Sequence, residues 1–147
     1  IGKVIGVTPR GYRMDNQILL LSKDLKRKHY VRKADPKQEY WFDFSESKLE
    51  KYKGQTQNEF NLIIAGNEDK TNDFYIIPYL SVAHMFIESS LQTGIKKNRR
   101  WVGYIKVSKA SHLLMIRNAG DIDITQYYGD QDVLNRIITT STTLIQE

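Results

Sequence analysis

The chain has 147 residues, enough for one domain that buries its own core without covalent staples. A hydrophobic fraction of 40% beside 27% charged residues excludes a disordered chain, and the absence of cysteine excludes disulfide frameworks and thiolate metal centres. Lys and Arg number 22 against 17 Asp and Glu, for a net charge of +5, so an anionic partner is attracted. The basicity is front-loaded: residues 1–53 carry 13 Lys and Arg against 7 acids, residues 54–120 carry 8 against 5, and residues 121–147 carry 1 against 5.

In chain order, seven runs of aliphatic, β-branched and aromatic residues bounded by turn chemistry predict strands. They are KVIGVT (3–8), QILLLS (17–22), EYWFDF (39–44), FNLIIAG (60–66), DFYIIPY (73–79), RWVGYIKV (100–107) and HLLMIR (112–117). Between the third and fourth, Ser47 and Glu50 have capping-box spacing and Gly54 marks a stop, which predicts a short helix. After Pro78, Leu80, Ala83, Ile87 and Leu91 recur at intervals of three and four, predicting an amphipathic helix over 80–92. Near the end, Asp130 or Asp132 can cap a helix through Leu134, Ile137 and Ile138, against the extended preference of the β-branched IITTSTTLI. The expected fold is mainly β (α+β): a seven-stranded, partly open antiparallel pseudobarrel with two short helices. A single domain over 1–147 is expected, with its core at about 3–117 and 118–147 either an acidic extension or a lead-in to a missing partner domain. The longest apolar runs, Ile18 to Leu21 and Leu113 to Ile116, fall far short of the ~20 residues of a membrane span. A soluble, cytoplasmic chain without a membrane partner is the expectation.

Little in the sequence points to catalysis. The histidines at 29, 84 and 112 are too widely spaced for a local zinc motif, the glycines form no phosphate loop, and no cofactor is expected. One catalytic pattern stands as an alternative: Asp43 followed at a distance by Glu68 and Lys70, the order in which many nucleases hold a divalent metal and stabilise the attacking water. The same residues also fit a solvated turn. The basic runs say more. Lys23, Lys26, Arg27, Lys28, Arg32 and Lys33 form one cluster, and Lys96, Lys97, Arg99 and Arg100, directly before Trp101, form another. Each abuts an aromatic strand, which is the composition of a phosphate-tracking groove, although each run alone fits a solvated face. The aromatics Tyr40, Trp41, Phe42 and Trp101 fit either core or a stacking surface. Two loops offer base readers: TPRGYRMDN (8–16), with Arg10, Tyr12 and Arg13, and NEDKTND (67–73), with Asn67, Lys70 and Asn72.

The succession EYWFDF, charged helix, FNLIIAG, polar turn, DFYIIPY, helix and RRWVGYIKV resembles the B3-like DNA-binding pseudobarrel of bacterial restriction endonucleases, over about residues 3–117. The resemblance implies two arms that grip the major groove, at 8–16 and 67–73. It therefore implies base reading by Arg10, Tyr12, Arg13, Asn67, Lys70 and Asn72. The basic stretch 23–33 departs from that pattern and is expected to hold phosphates beside the groove. The implied partner is double-stranded DNA, with a nuclease or motor domain elsewhere and no catalysis of its own. A further alternative is a reader of flipped or methylated bases through an aromatic pocket.

Overall fold

The computed structural model describes residues 19–20, 22–35, 39–67, 70, 72–94 and 98–146, with side chains as far as 138. The predicted strand 3–8 and the arm 8–16 lie outside the described residues. Leu19 and Leu20, expected in a strand, are helical.

The elements run in the order α1 (Lys23–Lys28), β1 (Tyr30–Lys33), β2 (Phe42–Ser45), α2 (Glu46–Thr56), β3 (Asn61–Ala65), β4 (Phe74–Pro78), α3 (Tyr79–Val82), β5 (Gln92–Thr93), β6 (Arg99–Val107), β7 (His112–Ile116), β8 (Gly120–Asp123) and α4 (Gln131–Gln146). This is a mixed α/β fold, and it corrects the expected pseudobarrel. Among the described residues, eight strands form two separate sheets, one of order β1-β3-β4 and one of order β2-β6-β7-β8 with β5 also paired to β6, and neither sheet closes or curls. The antiparallel expectation fails at β1, which pairs parallel with β3, Tyr30 opposite Leu62. The intervening β2 and α2 supply a connection long enough to return the chain in the same direction.

The strand period explains how the layers stack. In β2 and β6, Phe42, Phe44, Trp101 and Ile105 point inward and meet Tyr30, Leu62, Ile64, Tyr75 and Ile77 from the other sheet, forming the main core. Stacked rings at Tyr30, Tyr52, Phe60 and Tyr79 run through it, with centroids 4.8 to 5.7 Å apart. The alternate residues of the three-stranded sheet, Ile63, Phe74 and Ile76, face the other way and bury Leu19, Leu25, Leu134 and Ile138. The layers are thus helices α1 and α4, the three-stranded sheet, the core and the five-stranded sheet. No helix among the described residues is long and apolar enough to cross a membrane.

Both predicted helices shift. In α2 the N-cap is Ser45, whose hydroxyl accepts the Lys48 N–H, and the helix runs through Gly54 to a left-handed Gln57. No atom lies within 4 Å of a Cβ added at Gly54, so that position is simply open. The helix predicted over 80–92 shortens to α3 followed by two 3-10 turns, Ala83–Met85 and Glu88–Ser90. Leu80 and Ile87, which supplied the period, are exposed, while Val82, Met85 and Phe86 are buried. The buried Ser90 hydroxyl donates to the carbonyls of Met85 (2.8 Å) and Ile87 (2.9 Å), and the Trp101 indole also donates to Ile87 O at 2.9 Å. These bonds satisfy carbonyls that a continuous helix would have used internally.

Candidate nucleic-acid interface

Phe42 and Phe44 fill the core, so Trp41, Asp43 and Ser45 project from the opposite face of the five-stranded sheet. Arg100, Val102 and Tyr104 of β6 and Met115 of β7 share that face by the same alternation. Asp43 pairs opposite Val102, next to Arg100. On the edge of the other sheet, Arg32 of β1 reaches across the seam between the two sheets.

These side chains converge on Asp43. The Arg32 guanidinium pairs with Asp43 Oδ1, and its Nε donates to the Asp43 carbonyl at 2.8 Å. Arg100 donates to Asp43 Oδ2 at 2.7 Å. Asp43 is 18% exposed, which strengthens both charge-assisted bonds relative to surface pairs. The arginines hold one negative charge between two positive ones, leaving a surplus of +1. Around them opens a cleft of 540 Å³ lined also by Ser45, Glu46, Ser47 and Lys48 at the start of α2 and by Asn98 and Arg99. Arg99 is spent on Glu46 (2.8 Å) and Glu88 (3.0 Å), which hold its guanidinium even more firmly protonated than usual.

Arg100 has a second partner: its guanidinium lies over the Trp41 ring, 5.9 Å from the centroid. Beyond Trp41 a second hollow of 350 Å³ is lined by Val102, Tyr104, Met115 and, at the β7–β8 turn, Arg117 and Asn118. The cleft and the hollow therefore adjoin across one Trp–Arg pair.

No protein-family model, curated protein or solved structure matches the chain. Its chemistry has to be read from the site.

Of the expected phosphate contacts, the structure brings Arg32, Arg99 and Arg100 into one cleft. Lys23, Lys26, Arg27 and Lys28 sit on α1, in the outer helical layer, where Arg27 pairs with Asp24. Lys33 is exposed at the end of β1. Lys96 and Lys97, like Arg10, Tyr12, Arg13 and Glu68, lie outside the described residues. In the expected second arm, Lys70 is exposed, the Asn67 N–H donates to Asp73 Oδ2 at 2.7 Å, and Asn72, in the left-handed region at φ 64, accepts a hydrogen bond from Gln131. For the nuclease alternative, Asp43 has each carboxylate oxygen engaged by a guanidinium. No group of three or more His, Cys, Asp or Glu among the described residues is placed to hold a metal ion. Of the aromatics, Phe42 and Trp101 are core, Trp41 faces out, and the Tyr40 hydroxyl donates to Asp73.

Charge runs were the signal for Arg32, Arg99 and Arg100. Lys48, Tyr104 and Arg117 carried none, and Ser47 was marked only as a helix cap, because the role of each depends on which strand or helix end lies beside it.

A second polar network lies at the β3–β4 turn. Asp73 is 1% exposed and accepts bonds from the hydroxyls of Tyr40 (3.0 Å) and Tyr128 (2.8 Å) as well as from Asn67 N. Burial, with Asp73 alongside, pushes the Tyr40 hydroxyl up to about 12 and that of Tyr128 up as well. Tyr75 bonds His112 Nδ1 at 2.6 Å, and burial lowers the pKa of His112.

Proposed function

We propose that the chain binds double-stranded DNA as the recognition part of a restriction system in the cytoplasm, with any nuclease or motor elsewhere. The observation that carries this reading is the convergence of Arg32 and Arg100 on Asp43 beside the exposed Lys48 and the start of α2. Two basic runs far apart in sequence meet in one cleft, and a shared carboxylate fixes both guanidinium groups in place. A fixed guanidinium loses less side-chain entropy on meeting a phosphate than a free one. The surplus positive charge supplies affinity for any duplex, while sequence choice falls to the loops, with Lys70 the exposed cation of the second.

The test is fluorescence anisotropy with a random-sequence duplex across a salt series. Lys48→Ala is expected to weaken binding to every duplex and to reduce the magnitude of the log–log salt slope by about 1. Unchanged affinity and slope would remove the cleft from the interface, and no binding even at low salt would reject the reading altogether.

A further inference from the structure

The second hollow lies beside the phosphate cleft on the same sheet face, and its chemistry is different. Val102, Tyr104 and Met115 make it mostly apolar, Trp41 forms one wall, and Arg117 and Asn118 close the end at the β7–β8 turn. Neither of those two side chains bonds any described residue, and both are exposed. Along the outer edge, Asp121 and Asp123 of β8 pair opposite Met115 and Leu113. A phosphate backbone is repelled from that edge and held at the Arg100 side. What suits the hollow is then a flat, uncharged group that leaves the backbone there and reaches inward: an aromatic face to stack on, apolar walls, and polar groups at one end for its rim.

From this arrangement we infer that the hollow between Trp41 and Met115 receives one unpaired nucleobase, stacked on Trp41 or Tyr104 with its edge toward Asn118 and Arg117, while the adjoining phosphates lie against Arg100. The inference rests on the proposed nucleic-acid binding and narrows it to DNA that presents an unpaired nucleotide next to a duplex. The Arg100–Trp41 contact makes the two halves one site, since the same guanidinium that holds the backbone also covers one face of the stacking ring. Bases of any identity have a π-face, so stacking itself discriminates little. Asn118 and Arg117 supply the hydrogen-bonding groups by which one base edge is preferred.

The experiment compares two otherwise identical duplexes, one fully paired and one with a single-nucleotide bulge carrying 2-aminopurine, by anisotropy and by the fluorescence of that base. Wild-type protein is expected to bind the bulged duplex at least tenfold more tightly and to quench the probe. Tyr104→Ala and Met115→Gln, each checked for folding by its thermal melt, are expected to bring the bulged-to-paired affinity ratio to within about threefold of 1, whereas Trp41→Phe keeps most of it because a ring remains. Equal wild-type affinity for the two duplexes, or an unchanged ratio in both Tyr104→Ala and Met115→Gln, overturns the base site while leaving duplex binding standing. Failure to bind either duplex overturns both.

Discussion

Lowering the pH is expected to unfold this protein through His29 in particular. The imidazole is largely buried between α1 and β1, and its Nδ1 accepts the Asn61 backbone N–H at 3.1 Å, so that nitrogen carries no proton in the folded state. Burial, helped by Lys28, pushes the imidazolium down to about 4, whereas the unfolded chain titrates near 6.5. The unfolded state therefore binds the extra proton between those values, and stability is lost as pH falls through that window. Above 6.5 both states are neutral and the term vanishes. Integrating the two titrations gives a loss of about 2 kcal/mol at pH 5 and about 3 kcal/mol at pH 4 from this residue. The measurement is urea unfolding at pH 7.5 and pH 5 for wild type and for His29→Gln, whose amide oxygen can still accept the Asn61 N–H. Carboxylates contribute alike to both proteins, so the difference of differences isolates the histidine. Wild type should lose about 2 kcal/mol more than the variant on acidification; equal losses would show that the imidazole is protonated as easily in the fold as outside it.

Two glycines should respond in opposite directions. A Cβ at Gly103 meets the Met115 carbonyl, with Ile116 Cδ1 at 2.8 Å and Phe42 Cε1 at 3.2 Å, and the carbonyl belongs to a paired strand that cannot yield, so Gly103→Ala should cost about 1–3 kcal/mol. Gly54→Ala, in the open last turn of α2, should stabilise by about 0.5–1 kcal/mol; paired thermal melts check both. Asp73→Asn sets an amide donor against the Tyr40, Tyr128 or Asn67 donors and should cost at least ~2 kcal/mol. In the same variant, spectrophotometric titration should show the Tyr40 hydroxyl moving from about 12 back toward 10, since an adjacent negative charge helps hold it up.

The strands that could be read from sequence were those with a buried face and clear turns. β3, β4, β6 and β7 fall within a residue or so of expectation because NLIIA, FYIIP, RWVGYIKV and HLLMI announce themselves by β-branched and aromatic content. β1 was hidden inside the basic run, since only Tyr30 of Tyr30–Lys33 is fully buried. β8 was hidden by Asp121 and Asp123, which an edge strand tolerates and an interior strand does not. The pseudobarrel failed for a related reason: strand order along the chain says nothing of a parallel pair closed over two intervening elements, and that pair splits the sheet in two. At the site, charge runs located Arg32, Arg99 and Arg100. The sequence offered Asp43 as a metal ligand only in the nuclease alternative, because it cannot say which side chains stand beside that carboxylate, where the structure puts two guanidinium groups.

The parallel pairing of β1 with β3 also bears on how the chain assembles. Tyr30 and Leu62 are neighbours in space but about thirty residues apart in sequence, and the loop-closure entropy of that span is lost before the pairing returns any contact energy. The β3–β4 hairpin has local contacts and can form early, with β1 joining later as the element that completes its exposed edge. During synthesis, β1 leaves the ribosome well before its partner exists, and its charged residues keep the waiting strand from pairing with neighbouring chains. The lysines and arginines around it thus serve folding yield.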